Sequence, residues 1–403
     1  MKRVVDVRPF GDLASFRNGV NFSASSRGKG DLAVIGVGDF QKNERLSYFD
    51  KLERIARPTS LDDDALLRDG DLVFVRSNGN KELIGRCMVL ERVNGPVTHS
   101  GFTIRARLTT PDVQPEWIAQ YFATGLARRA IMRRGGGTNI SNLSQQILQD
   151  LPVPVPNPQY QSSVLRAAEQ LSASLRLMNA LLDAKRTFKR GLTQRLLTGQ
   201  KRFPKFRSCR WNATALGDVV TCNLRKVPKP LGKFLSAGVR SHGKGVFLKN
   251  EFHPDQIALD ELFELKQGDL VVNITFGWEG AVAIVPPEAD GALVSHRFPT
   301  YVVNQRKILV EYLRHVIRAR RFVFEVAVAS PGGAGRNRVL NRSAFLQIPI
   351  RLPCIDEQQE IAGILNSCDQ EIDQLEQLRG QVGLHKRALL SRLLSGELFV
   401  PRS

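Results

Sequence analysis

Two stretches of the chain share one pattern of apolar and polar positions. In residues 157–199 and 354–396, apolar side chains recur alternately three and four residues apart, which is the spacing of a coiled-coil seam. Eight of ten seam positions are apolar in each stretch, against about four expected from composition. The pattern predicts two long helices that pack against each other. The predicted interface positions are Val164, Leu171, Leu175, Met178 and Leu182 in the first helix and Ile361, Leu365, Ile372 and Leu375 in the second.

The ends of both helices carry recognisable signals. Asn157 followed by Pro158 is typical of a helix start, and Asp356 with Gln359 resembles a capping box. Gly199 and Gly396 stand where a C-terminal glycine belongs. A helix of this length spans about 60 Å. The alternative is that each helix packs separately on its own globular domain.

The helical stretches belong to an internal repeat. Residues 151–204 align without a gap with residues 348–401, and 12 of these 54 positions are identical. The sequence GDLV occurs at 70–73 and again at 268–271. We therefore expect a globular domain at 1–150, a long helix within 151–206, a second globular domain at 207–347 and a C-terminal long helix within 348–403.

The globular segments contain short apolar runs that predict strands. Residues 72–75 and 87–90 in the first domain match 270–274 and 281–285 in the second. We expect an α+β fold in which two domains with mixed sheets are separated by two long helices that pack against each other.

Charge and composition restrict the class of protein. The chain has 58 Lys and Arg against 39 Asp and Glu, a net charge of +19, so an anionic partner is expected and nucleic acid is the first candidate. Alternatively, the chain is basic without a charged partner. Five scattered cysteines without a CxxC pair predict a reduced cytoplasmic protein with no metal site. No apolar run is long enough to span a membrane.

The motifs that could carry catalysis are weak. Residues 157–160 (NPQY) resemble a methyltransferase loop but fall where a helix should start. Asp255, Glu264 and Lys266 fit a loose metal-nuclease pattern that the first half does not repeat. His99 and His296 align in the two halves, and we interpret them as hydrogen-bonded fold residues. We expect no catalytic residue in this chain.

Basic and amide side chains beside glycine-rich turns predict a DNA surface. Arg pairs with guanine, Asn with adenine and Lys with phosphate. The candidate residues of the first domain are Arg76, Asn78, Asn80, Lys81, Arg133, Arg134 and Asn139. Those of the second domain are Lys244, Asn273, Thr275, Arg336, Asn337 and Arg338.

Together these features resemble the specificity subunit of type I restriction–modification systems. The resemblance rests on residues 151–156 (LPVPVP), on 348–353 (IPIRLP) with 356–362 (DEQQEIA), and on the helix ends at 189–199 and 386–396. In the first half Tyr160-Gln161 replaces the Glu-Gln of the second.

The resemblance implies two target-recognition domains that read an asymmetric, bipartite DNA site in phage defence. It also implies that the two long helices form an antiparallel coiled coil, which fixes the spacer between the half-sites. The helices would help to dock two modification subunits, which bring S-adenosylmethionine and methylate adenine. Translocating restriction subunits that use ATP and magnesium would join them. The chain itself would hold no cofactor. The alternative is a tandem DNA-binding or scaffold protein without methyltransferase partners.

Overall fold

The computed structural model describes residues 6–41, 45–59, 61–134, 142–333 and 338–395. The chain forms two compact units. The first contains the residues up to Asn179 together with those from Gln377 onward, and the second runs from Ala180 to Glu376. Each unit therefore combines a globular domain with one part of each long helix.

The first unit contains a five-stranded sheet in the order β2-β9-β6-β7-β4, a three-stranded sheet in the order β5-β3-β8 and the antiparallel pair β1-β10. The strands are β1 (Asp6–Pro9), β2 (Ala14–Asn18), β3 (Arg27–Ile35), β4 (Arg45–Leu46), β5 (Glu53–Ile55), β6 (Leu72–Val75), β7 (Cys87–Leu90), β8 (Val97–His99), β9 (Thr103–Leu108) and β10 (Pro152–Val155). The helices are α1 (Pro115–Phe122), α2 (Gly125–Arg134), α3 (Gln145–Gln149) and α4 (Pro158–Leu197), the last of which continues into the second unit.

The second unit repeats this plan with a four-stranded sheet in the order β12-β20-β17-β18, a five-stranded sheet in the order β13-β16-β19-β14-β15 and the pair β11-β21. Its strands are β11 (Asn212–Ala215), β12 (Val220–Cys222), β13 (Lys226–Pro228), β14 (Phe234–Val239), β15 (Val246–Phe252), β16 (Glu261–Glu264), β17 (Leu270–Val272), β18 (Val282–Ile284), β19 (Leu293–Val294), β20 (Thr300–Val303) and β21 (Pro349–Leu352). Its helices are α5 (Val310–Arg318), α6 (Arg320–Val328), α7 (Arg342–Leu346) and α8 (Ile355–Leu394), which continues into the first unit.

The repeated GDLV sequence starts a central strand in each unit. Gly70 and Gly268 have φ angles of +80° and +85°, a backbone conformation that favours glycine. The buried carboxylate of Asp71 then accepts two hydrogen bonds from Arg107, at 2.8 and 2.7 Å. Asp269 accepts a single hydrogen bond from Arg225, which follows β12. The residues of β6 alternate between two cores, one on each face of the sheet, so an apolar run is needed there.

Each domain is attached to the start of a long helix by a fully buried glutamine. Gln161 accepts a hydrogen bond from the Gln114 backbone N–H at 2.9 Å and donates to the Asp112 and Pro156 carbonyls, both at 2.7 Å. At the equivalent place Gln358 accepts from the Leu309 N–H and donates to two carbonyls. These amides tie the helix start to its approach strand and to the segment before α1 or α5.

In the first unit, α4 and α8 run antiparallel. The Tyr160 hydroxyl donates to the Leu393 carbonyl at 3.0 Å, and the Lys386 ammonium donates to the Ser172 hydroxyl at 2.8 Å. Further along, Arg379 donates to Asn179. The residue numbers of the bonding partners therefore decrease along α8 as they increase along α4, as they must for antiparallel helices.

The second unit continues the same antiparallel pairing. Lys185 contacts Glu371 at 2.6 Å, Lys189 contacts Asp369, and Arg186 contacts Glu376. Lys185, Lys189, Arg379 and Lys386 are the polar positions of the seam, and each bonds to the other helix. The predicted α+β class with mixed sheets and two antiparallel long helices is confirmed.

Two details of the helices differ from expectation. The first regular hydrogen bond of α8 runs from the Gln358 N–H to the Cys354 carbonyl at 3.0 Å, so Cys354 is the N-cap and the prediction of Asp356 was wrong. Near the other end, the apolar pattern predicts Leu389 and Leu393 as seam positions. Leu393 is buried, but Leu389 is 37% exposed and Leu390 is 5% exposed, so Leu390 takes the place of Leu389. Asn157 caps α4 as predicted, accepting the Tyr160 N–H at 2.8 Å, and Gly199 has a φ of +74°.

Candidate nucleic-acid interface

Several arginines of the first domain are neutralised inside the fold. Arg17, Arg105 and Arg107 all bind Asp64, and Arg107 also binds Asp71. Hydrogen bonds from Arg105 and Arg17 lower the pKa of Asp64 to about 2. These cations stabilise the sheet and contribute little to an external anion site, because each already has an anionic partner.

The exposed face of α2 carries cations without such partners. Arg128, Arg129 and Arg133 are exposed, and among the described residues none of the three forms an ion pair. Arg128 donates to the Glu82 carbonyl at 3.2 Å, which places α2 beside the loop that follows β6. The side chain of Arg134 and all of Asn139 lie outside the described residues.

The loop after β6 holds the other candidates of the first domain. The Asn78 side-chain oxygen accepts the Asn80 N–H at 2.7 Å, and the Asn80 oxygen accepts the Glu82 N–H at 3.0 Å. Both oxygens therefore fix the turn. Arg76 is half-buried and Lys81 is exposed. A cleft of about 700 Å³ lies beside this loop and is lined in part by Asn78 and the exposed ring of Phe102.

Three candidates of the second domain point into the fold. Asn273 is 9% exposed and Thr275 is 5% exposed. The Asn273 oxygen accepts the Thr275 N–H at 3.0 Å. The guanidinium of Arg338 stacks on Trp278 and donates to the carbonyls of Ser330 and Ala327. The described geometry therefore gives these side chains structural contacts rather than a surface open to base edges.

The other candidates of the second domain are Lys244, Arg336 and Asn337. Lys244 is exposed on a turn whose flanking glycines, Gly243 and Gly245, have φ angles of +65° and +81°. Arg336 and Asn337 lie outside the described residues. The Gly243 turn packs against the side chain of Arg318, so Lys244 lies near the junction of α5 and α6.

The predicted interface positions of the long helices are buried or half-buried. Val164 belongs to a core that also contains Leu390, Leu393 and Leu394 of α8. Ile361 and Leu365 share a core with Leu196 of α4. The remaining positions are Leu171, Leu175, Met178, Leu182, Ile372 and Leu375.

The aligned histidines have different surroundings. His99 is 1% exposed, and its Nδ1 lies 2.9 Å from the Thr103 hydroxyl. Burial lowers the pKa of His99 to about 3, so it is neutral at pH 7. His296 is exposed in a turn, and the interpretation of a buried fold residue was wrong for that copy.

Sequence reasoning missed one cluster of potential metal ligands. Within the described ranges, one group of three or more potential ligands has its ligand atoms within 4.8 Å of one another. Its members are Cys209, Cys354 and Glu357. Both oxygens of Glu357 already accept hydrogen bonds from Arg202, at 3.0 and 2.6 Å, and one also accepts the Trp211 indole N–H. A carboxylate held in this way is a poor metal ligand, because the guanidinium beside it would repel a cation.

Sequence reasoning also missed the buried glutamines Gln161 and Gln358. Their signal was available, because both are among the identical positions of the aligned repeat.

None of the helices in the described ranges combines the length and apolar character needed to cross a lipid bilayer.

Comparison with known proteins identifies the fold. No protein-family model matches the chain. It is 21% identical over 299 residues to the type I restriction enzyme MjaVIII specificity subunit of Methanocaldococcus jannaschii, covering 70% of each protein. It is 35% identical over 109 residues to the EcoKI specificity subunit of Escherichia coli, covering 27% of this chain and 23% of that protein.

Solved structures extend the likeness to almost the whole chain. The HsdS subunit from Thermoanaerobacter tengcongensis has a TM-score of 0.53 at 12% identity, covering 99% of this chain and 98% of that one. A chain from a structure of complex assembly and conformational transition in a type I R-M system has a TM-score of 0.60 at 11% identity, covering 98% of each. The chain therefore has the fold of type I specificity subunits.

Proposed function

We propose that this chain is the DNA sequence-specificity subunit of a type I restriction–modification complex and that it reads an asymmetric bipartite site. The observation that carries the proposal is the paired architecture: two repeated domains, each attached by a buried glutamine to the start of one of two antiparallel helices. Two readers joined in this way suit a target with two half-sites.

The distribution of charge supports DNA as the ligand. In the described part of the first domain, the arginines of the five-stranded sheet are paired with carboxylates, whereas those on α2 face solvent without ion pairs. Unpaired cations on one helix face are the footprint expected for phosphate contacts. The domains resemble each other in fold but differ in these surface residues, so the half-sites they read should differ too.

The chain is non-catalytic and acts with partner subunits. In this proposal two modification subunits bind S-adenosylmethionine and methylate adenine, while restriction subunits use ATP and magnesium, all in the cytoplasm. A tandem DNA-binding scaffold without methyltransferase partners is the alternative, which the similarity to specificity subunits does not favour.

Affinity purification of the tagged chain from its host tests the proposal. We expect an adenine methyltransferase to co-purify, and the complex to transfer methyl groups to host DNA taken from a strain that lacks this gene. Recovery of the chain alone, bound to DNA but without a methyltransferase, would support the scaffold instead. Methyl transfer by the chain without partners would contradict its non-catalytic role.

A further inference from the structure

The two domains place an equivalent helix beside the loop that follows their central strand. In the first domain α2 packs on Gly85, and in the second α6 packs on Gly277 and Gly280. The Gln114 N–H that binds Gln161 and the Leu309 N–H that binds Gln358 occupy the same place before α1 and α5, so the two domains correspond from there onward at the constant offset between Gln114 and Leu309. Ala127 and Ile131 are buried four residues apart in α2, as Phe322 and Val326 are in α6. The two helices therefore correspond residue by residue, Ala127 with Phe322 and Ile131 with Val326.

This correspondence shows that the outward faces have opposite character. Arg129 and Arg133 of α2 fall on Phe324 and Val328 of α6. Both arginines are exposed, and Phe324 and Val328 are 65% and 63% exposed. Two apolar side chains thus stand in solvent at the positions where the other domain presents cations.

Cations lie on the N-terminal side of the apolar pair, and Glu325 is the one acidic residue of α6. Arg320 and Arg321 precede it on the same helix, Arg318 ends α5, and Lys244 lies on the turn that packs against Arg318. Within the described ranges none of these four forms an ion pair. The core of a protein interface is depleted of charge, whereas a DNA groove offers phosphates around apolar thymine methyl groups. The charge pattern therefore matches DNA better than an apolar protein surface.

We propose that α6 reads the second half-site by apolar contact of Phe324 and Val328 with thymine methyl groups, while Arg320 and Arg321 bind the flanking phosphates. This inference rests on the proposed function and names the residues that make the second domain read differently from the first. The equivalent face of α2 uses Arg129 and Arg133 for phosphate or guanine.

The test is selection from a pool of random-sequence DNA duplexes by the complete complex, carrying either the native chain or the double variant Phe324→Ala/Val328→Ala. We expect the native complex to enrich a bipartite site. The variant should keep the first half-site, lose preference for A·T pairs in the second, and bind the selected site about tenfold more weakly. Its dependence on salt should not change, because no phosphate contact is removed.

Leu231→Ala is the matched control, because Leu231 is a fully exposed apolar residue of the same domain outside α6. It should leave both half-sites intact. A double variant with unchanged selection and affinity would overturn the inference while leaving the proposed function in place. Loss of partner subunits from the variant complex would identify the face as a protein-docking surface and would also overturn it. If the native complex enriches no bipartite site, the proposed function fails, and the inference fails with it.

Discussion

Replacing Gln358 with alanine tests how each domain is joined to its helix. The side chain is fully buried and makes three hydrogen bonds: its oxygen accepts the Leu309 N–H at 2.9 Å, and its nitrogen donates to the Lys307 and Pro353 carbonyls, both at 3.0 Å. At about 1 kcal/mol for each bond, the variant should lose about 3 kcal/mol of unfolding free energy.

The effect should be larger than for an ordinary surface change. Gln359 is exposed, and Gln359→Ala should change the free energy of unfolding by less than about 0.5 kcal/mol. Urea unfolding can be followed by tryptophan fluorescence, because Trp211 donates a hydrogen bond to Glu357 in the first turn of α8 and should respond when this junction opens. If Gln358→Ala and Gln359→Ala unfold at the same urea concentration, the glutamine does not secure the junction.

Three further outcomes are expected. Leu182→Asp should destabilise the chain by more than about 3 kcal/mol and prevent assembly, since Leu182 is 1% exposed and the new charge would be buried. The control Leu177→Asp changes a 72% exposed position of the same helix, so its free energy of unfolding and its assembly should match those of the native chain. Replacing Arg129 and Arg133 with alanine should lower the salt slope of DNA binding by about two, and an unchanged slope measured by titration at several salt concentrations would remove both from the interface. Because burial lowers the pKa of His99, the unfolded state takes up a proton on this histidine first as the pH falls below about 6.5. The free energy of unfolding should therefore decrease by up to about 1.4 kcal/mol per pH unit more in the native chain than in His99→Asn. If denaturation between pH 7 and 4 gives the same pH dependence for both proteins, the reasoning is contradicted.

The features that the sequence predicted correctly depend on local rules or on periodicity. The helices, the central strands and the Asn157 cap follow from residue spacing and backbone chemistry alone. The pairing of the two helices could be inferred because two seams of equal length need equal partners, whereas the antiparallel direction was implied by the family resemblance. Apolar periodicity identifies which face of a helix is buried, but it did not predict the hydrogen bonds that the seam lysines make to the other helix.

The features that the sequence did not predict depend on tertiary contacts. Asn273 and Thr275 lie in an irregular loop, where no period tells which way a side chain points. Cys354 was missed as a cap because its weakly polar thiol is not a typical N-cap group, although it lies within reach of the Glu357 N–H. His296 aligns with His99 but stands in a turn that leaves it exposed.

The contrast between α2 and α6 was visible only after the buried positions had been matched. The sequence alignment at a constant offset places Phe324 opposite Ala127, which is buried, and so hides the exchange of arginine for phenylalanine. The connections between the repeats differ by two residues at this point, and the equivalent hydrogen bonds from Gln114 to Gln161 and from Leu309 to Gln358 reveal the correct register.

Sequencing of methylated adenines in the host genome, with and without this gene, tests the central claim most directly. We expect one motif with two different half-sites at a constant separation, and its complete loss when the gene is deleted. Two identical half-sites, a variable separation, or a methylation pattern that survives the deletion would contradict a chain in which paired helices hold two different DNA readers.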